Sequence, residues 1–373
     1  MTGVRLHELR ARELRIPFKT SFRHASAERT ETSTIWVEAV SVDGTIGYGE
    51  SCPRSYVTGE TTDTAASFVA AHRADVLRAV GDLASMRTWM SAHAGAIDEH
   101  PAAWCALELA LLDLFGRSAR ISVDALLGLP APRGPFRFSA IVGDGSPETC
   151  AAVVEQYRVR GFTDFKIKLS GDRERDRAKI DLVRDIPQVR VRADANNLWT
   201  DARDAIAFLR LLEYPLFAIE EPIGAGRYAA LASVGDALSC RIVLDESMLR
   251  GAQLADLPAP PDRWVINVRV SKMGGLLRSL DVVRRARAAG LGIIVGAQVG
   301  ETSVLTRAAL SVAANAGSSL VAQEGAFGTH LLQYDVCDPP LMFGRAGQLD
   351  GSAFGDAPGF GLAIADWAAH AQT

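Results

Sequence analysis

Polar residues recur at an almost fixed interval through the second half of this 373-residue chain: Lys168, Asp194, Glu220, Asp245, Lys272, Gln298 and Glu324, separated by 26, 26, 25, 27, 26 and 26 positions. Each closes a short apolar segment of strand composition, and most are followed by a stretch with helical periodicity. The strand candidates are 137–143, 163–169, 188–194, 215–222, 241–247, 264–272, 291–298 and 319–325. One strand, one helix and two loops fill a period of about 26 residues, so eight such units predict a closed (β/α)8-type barrel. In that architecture the carboxyl ends of the strands surround one mouth, where all seven residues are expected to point.

The first 125 or so residues follow another pattern. "VRLHELRARELRIPF" and "TSTIWVEAVSVDGTIGYGE" have strand character, the second turning back at Asp43-Gly44 as a hairpin. "DTAASFVAAHRADVLRAV" and "PAAWCALELALLDLFGRSA" have helical character. Strands followed by helices indicate an α+β domain, expected over 1–126. The Pro/Gly-rich "LGLPAPRGP" then links it to a barrel over 134–330. The glycine-rich segment 331–373 is expected to pack back on the first domain.

Composition narrows the class of function. Apolar residues at 48% supply a sizeable core, and 40 basic against 44 acidic residues give a net charge of −4. Neither a nucleic-acid footprint nor a basic membrane patch is indicated. No run approaches the roughly 20 apolar residues of a membrane span, and the N-terminus lacks an apolar leader, so a cytoplasmic location is expected. Cys52, Cys105, Cys150, Cys240 and Cys337 are scattered, without a Cys-x-x-Cys pair, and read as reduced core residues.

Chemistry enters with Asp194, Glu220 and Asp245 on three consecutive strands. Three buried carboxylates converging on one point repel one another unless a cation joins them. An oxygen-only donor set suits Mg²⁺, whereas Zn²⁺ would recruit His or Cys. Of the seven histidines only His330, past the last strand, comes near such a position. Lys168 on the second strand and Lys272 on the sixth stand on opposite sides of an eight-strand ring, a placement that serves removal of a proton from one face and its return to the other. In "TDFKIKLS", Lys166 shares the face of Lys168, and its ammonium is expected to lower the pKa of that base.

"KIKL", "RADANN", "AIEEP", "VLDES" and "VSKMGG", in this order and spacing, resemble the enolase superfamily, specifically its muconate-lactonizing-enzyme-like subgroup. "IGYGESCPRSYVTGETTD" resembles the capping-domain loop of that group, so the likeness covers nearly the whole chain. The resemblance implies an α/β fold, a modified (β/α)8 TIM-type barrel with an N-terminal α+β capping domain. It also implies that Lys168 and Lys272 are acid/base lysines, that Lys166 is the tuning lysine, and that Asp194, Glu220 and Asp245 are Mg²⁺ ligands. Asn196 and Glu246 fall where groups supporting those ligands lie. The implied chemistry is abstraction of the proton α to a carboxylate, giving an enediolate. Reprotonation then yields a racemase or epimerase, and loss of a β-leaving group a cycloisomerase or a dehydratase of the o-succinylbenzoate-synthase kind. A non-catalytic binding protein on the same barrel would have lost a lysine or a carboxylate, and none is lost. A homo-oligomer acting on a small-molecule carboxylate is expected.

Specificity is harder to read. "CPRSYVTGETTD" looks most like dipeptide epimerases, whose Asp-x-Asp pair at the eighth strand is replaced here by "VAQEGAFGTH". Glu324 is its one carboxylate, and with Gln298, Arg23, His24, Tyr56 and Thr58 it is expected to contact substrate. A buried carboxylate favours a donor partner, so a substrate bearing an amine, ammonium or amide is expected, on an amino-acid derivative or dipeptide-like molecule. Arg269 stands where related sequences often have lysine. Its parity is opposite to that of Lys272, which predicts a structural role.

Overall fold

The computed structural model describes residues 3–24, 27–352, 354 and 356–370. Eight strands lie side by side in chain order: Ala140–Val142, Asp164–Lys168, Arg190–Asp194, Ala218–Glu220, Arg241–Leu244, Trp264–Val268, Gly292–Val295 and Leu320–Gln323. Every neighbouring pair is parallel. The sheet curls until its ends meet, and the Ser139 N–H donates to the Gln323 carbonyl at 2.8 Å across the seam. Long helices follow every strand except the fifth and eighth, where the 3₁₀ turns Gly251–Asp256 and Gly328–His330 stand instead. The barrel is therefore a modified (β/α)8 ring.

Alternation along the strands sorts the side chains. Ala218, Val243, Val265, Ile294 and Ala322, from five consecutive strands, form an apolar cluster of their own, which only the interior of a ring permits. Two residues further along each of these strands come Glu220, Asp245, Asn267, Gly296 and Glu324, so an apolar layer gives way to a polar one towards the mouth. Gly296 makes room there, since a Cβ would lie 2.1 Å from Asn267 Oδ1. Strands two and three are charged on this inner face throughout. Their register pairs Asp164 with Arg190, Lys166 with Arg192 and Lys168 with Asp194.

Leu6–Leu14, Thr34–Ser41 and Ile46–Ser51 form a three-stranded antiparallel sheet, and the tight turn at Gly44 has φ +85°. Helices Thr62–Ala79 and Pro101–Ala119 pack against it, the second lying almost wholly buried. The short helix Leu83–Ala92 and the hairpin of Pro17–His24 with Ala27–Glu31 are elements that hydrophobic periodicity did not mark. Among the described residues no helix is long and apolar enough to cross a membrane.

Carboxylates of this N-terminal unit seat themselves on N-termini of barrel helices, where unpaired N–H groups and the helix dipole favour an acceptor. Glu50 accepts from the Thr302 N–H and hydroxyl and the Leu305 N–H at the start of Ser303–Ala316. Glu108 accepts from the Leu277 N–H at the start of Leu276–Ala288, at 2.9 Å. The C-terminal segment closes over Pro101–Ala119, where the Phe360 N–H donates to Asp113 and Arg117 reaches the Leu362 carbonyl.

Burial pushes the Glu50 carboxyl up to about 8 and that of Glu108 up to about 7, from an ordinary 4.5. The fold thus retains protons that the unfolded chain releases, and the stability this contributes is fully present below about 4.5 and lost as pH rises through about 7 to 8. Urea midpoints should therefore fall between pH of about 5 and about 9, and fall less in Glu50→Gln, which carries no proton to lose. An unchanged slope in that variant contradicts the assignment.

Candidate active site

At the mouth the acidic residues alternate with cations. Lys166 Nζ lies 3.1 Å from Asp194 Oδ2, 2.8 Å from Glu220 Oε2 and 3.1 Å from Glu324 Oε2. Lys168 Nζ donates to Asp194 Oδ2 at 2.8 Å and to Asn196 Oδ1 at 3.0 Å. Arg269 bonds to Asp245 and to Gln298 Oε1 and stands 3.7 Å from Glu220 Oε1. Lys272 Nζ donates to the Asp245 carbonyl and Oδ1, both at 2.8 Å, and to the Asn267 carbonyl at 2.7 Å. All three of its N–H groups are thus engaged, and its side chain is fully buried.

These neighbours set the protonation states. Burial alone would raise Asp194, yet Lys166 and Lys168 hold it well below the usual carboxylate range. Asp245 is likewise held down against burial, by Arg269 and Lys272. Glu220 goes the other way: burial pushes it up to about 8, with Asp194, Glu324 and Asp245 adding to the rise against the pull of Lys166. Burial disfavours the Lys166 ammonium, but Asp194, Glu220 and Glu324 more than offset it and hold that pKa well above the ordinary lysine value.

The structure brings Lys166, Lys168, Lys272, Asp194, Glu220, Asp245, Asn196, Gln298 and Glu324 into one network, with two departures from the sequence reading. Lys272 is not a strand-end residue. The sixth strand stops at Val268, and Lys272 reaches the cluster from the helical turn Val270–Met273. Strand parity therefore does not relate it to Arg269, which shares the inner face of Val265 and Asn267 and holds two of the carboxylates. Glu324 also differs. Both its oxygens are taken, Oε1 by Arg192 Nη2 at 3.1 Å and Oε2 by Lys166, so neither is presented to the mouth.

Glu246 is half-buried, with Oε2 lacking a hydrogen-bond partner, and burial beside Asp245 pushes it up to about 7. Tyr56 and Thr58 lie on a turn held over the seventh strand by the buried Arg54, which donates to the Val299 carbonyl at 2.7 Å. Tyr56 is 38% exposed, with Arg29 6.0 Å from its ring centroid. Arg23 and His24 end the strand Pro17–His24, and their side chains lie outside the described residues. Sequence reasoning missed Arg192 and Glu221, and expected of Arg269 only a structural role. Glu221 accepts from the N–H groups of Asp245 and Ser247 and so fixes the backbone that carries Asp245. Arg192 was legible, because it shares the parity of Asp194.

As they stand, no three acidic, His or Cys side chains among the described residues close on one point. Lys166 occupies the space between Asp194 and Glu220, and Arg269 that between Glu220 and Asp245. The donor set nonetheless fits a hard divalent cation: the residues offer oxygen only, and the buried Glu220 Oε2 and Asn267 Oδ1 have no hydrogen-bond partner.

Lysines, carboxylates and amide oxygens thus gather at the carboxyl ends of the strands of a parallel barrel under an α+β cap, the face on which (β/α)8 enzymes carry their active sites. The sequence pattern of the family described as enolase C-terminal domain-like matches residues 149–368. A hydrophobic dipeptide epimerase of Citrifermentans bemidjiense is 30% identical over 93% of this chain and 91% of its own length. The dipeptide epimerase of Methylococcus capsulatus, solved with Mg and the dipeptide L-Arg-D-Lys, superposes with a TM-score of 0.82 at 26% identity, over 96% of this chain and 100% of that one. The N-succinyl Arg/Lys racemase of Bacillus cereus shares the fold, with a TM-score of 0.84 at 21% identity over 99% and 98% of the two chains. The chain belongs to the enolase superfamily, in the mandelate racemase/muconate lactonizing enzyme family, and is an isomerase.

Arg269 yields a test. Arg269→Met should destabilise the metal-free protein by about 3 kcal/mol, because breaking a buried ion pair strands Asp245 and Glu220. Added Mg²⁺ should restore part of the loss in urea unfolding. A variant as stable as the parent without metal contradicts this account of Arg269.

Proposed function

We propose that this isomerase is a Mg²⁺-dependent racemase or epimerase acting at the carbon α to a carboxylate, on an amino-acid derivative whose nitrogen is acylated. The observation that carries this reading is the bracketing of the carboxylate row by two lysines: Lys168 bonds to Asp194 at one end and Lys272 to Asp245 at the other. Dipeptide epimerases and an N-succinyl amino-acid racemase among the relatives favour racemisation, and each of those substrates has an acylated nitrogen. An ammonium-bearing end is disfavoured, since Glu324 is already neutralised by Arg192 and Lys166.

In this reading Asp194, Glu220 and Asp245 hold the cation, and Asn196 and Glu246 flank them. When bound, Mg²⁺ supplies positive charge to the substrate carboxylate as the α-carbon gives up its proton. Lys168 takes or returns that proton on one face and Lys272 on the other. Lys166, held as an ammonium, shares the carboxylate oxygen Asp194 Oδ2 with Lys168. Lys272 Nζ is oriented for proton transfer by the Asp245 carbonyl and carboxylate and by the Asn267 carbonyl. Gln298, Tyr56 and Thr58, with Arg23 and His24, would select the distal end of the substrate. The barrel unit is taken as 134–330, the capping unit as 1–126, and 331–373 as a segment returning to the cap.

Lys168→Ala and Lys272→Ala should each lower kcat by about a hundred-fold to ten-thousand-fold, yet each should still exchange the α-proton of one stereoisomer with solvent deuterium. Interconversion of isomers at the parental rate by either variant rejects the two-base reading. Loss of activity in one variant alone would favour β-elimination or cycloisomerisation on a single base.

Calorimetric titration tests the metal assignment separately. Asp194→Asn, Glu220→Gln and Asp245→Asn should each weaken Mg²⁺ binding at least tenfold, about 1.4 kcal/mol, and EDTA should abolish turnover in the parent. Full turnover in metal-free buffer overturns it.

A further inference from the structure

Lys166 stands at the centre of a tripod of carboxylate oxygens, from Asp194, Glu220 and Glu324, each 3.1 Å or less from its Nζ. Of the three, Glu324 Oε2 is the one that accepts a hydrogen bond from the ammonium, while Asp194 Oδ2 and Glu220 Oε2 meet it as ion pairs. Two of the three carboxylates are assigned above to the cation and would turn towards it. Glu324 lies outside that ligand set and remains to hold the ammonium in place.

Glu324 is itself fixed from behind. Its Oε1 accepts from Arg192 Nη2, which also donates to Ser139 Oγ at 3.0 Å, while Arg192 Nη1 donates to Asp164 Oδ1 at 2.7 Å. A charged chain therefore crosses the barrel interior from Asp164 through Arg192 and Glu324 to Lys166, joining strands two, three and eight. Glu324 is 4% exposed and Arg192 1% exposed, which leaves neither a surface to offer a substrate.

We propose that Glu324 is a positioning residue for proton transfer: braced by Arg192, it anchors Lys166 below Lys168 when the other two carboxylates turn to the cation. This rests on the reading of Lys168 as a base that Lys166 serves. The role differs from that of a strand-eight carboxylate that contacts substrate, because Glu324 acts on turnover through Lys166 and leaves substrate affinity alone.

The test is a double-mutant cycle with two readouts. Glu324→Gln should lower kcat about tenfold or more while KM stays within about threefold, and in a Lys166→Met background the same change should lower kcat less than about twofold. In protein carrying isotope-labelled lysine, the slowly exchanging ammonium signal that Lys166→Met removes should also be lost or broadened in Glu324→Gln with Mg²⁺ bound. Glu324→Asp keeps the charge but is one methylene shorter, so it cannot span Arg192 and Lys166 and should lose part of kcat; it carries the same test if the Gln variant does not fold. A raised KM at unchanged kcat, or equal losses in both backgrounds, overturns the proposal. Parental kcat in Lys166→Met would instead overturn the reading of the lysine pair on which it rests.

Discussion

The constraint on which the rest depends is charge compensation in a ring that buries carboxylates at the ends of adjacent strands. Unpaired, such groups would be too costly to keep ionised away from water. Here a cation stands beside each: Lys166 and Lys168 at Asp194, Lys166 at Glu220 and Glu324, Arg192 at Glu324, and Arg269 and Lys272 at Asp245. In the reading proposed above, a divalent ion would replace the ammonium and guanidinium groups between the carboxylates, and that exchange would free the lysines for acid/base work.

The cap bears on the same exchange, because its strand Ile46–Ser51, its helix Pro101–Ala119 and the turn after Arg54 are tied to barrel segments that follow the sixth and seventh strands. Glu108 sits on the helix after the sixth strand and Glu50 on the helix after the seventh, while Arg54 reaches the Val299 carbonyl beyond the seventh. The turn bearing Tyr56 and Thr58 is thereby registered to the barrel rim rather than suspended above it. In the proposed reading, specificity and chemistry would come from separate chain segments that these bonds tie together.

Much of this was legible in the sequence, and the failures have physical causes. The repeat of about 26 residues located all eight strands, since each βα unit needs that length to rise, return and turn. The charges on the inner faces of strands two and three follow from parity alone. Parity stops where a strand stops, and the sixth ends at Val268, so Lys272 arrives from a helical turn and its parity says nothing about Arg269. Glu324 was placed at the correct strand end but given the wrong neighbour. Its partners Arg192 and Lys166 lie 132 and 158 residues away, a distance over which spacing carries no information.

The most direct test of the central claim is α-proton exchange by the parental enzyme in deuterated water, followed by NMR over a panel of N-acylated amino acids and dipeptides supplied as single stereoisomers. The account predicts a substrate that gains deuterium at the α-carbon and appears as both stereoisomers, only with Mg²⁺ present. Deuterium gain with retained configuration, or loss of a β-substituent in its place, would contradict a two-faced racemisation at this site.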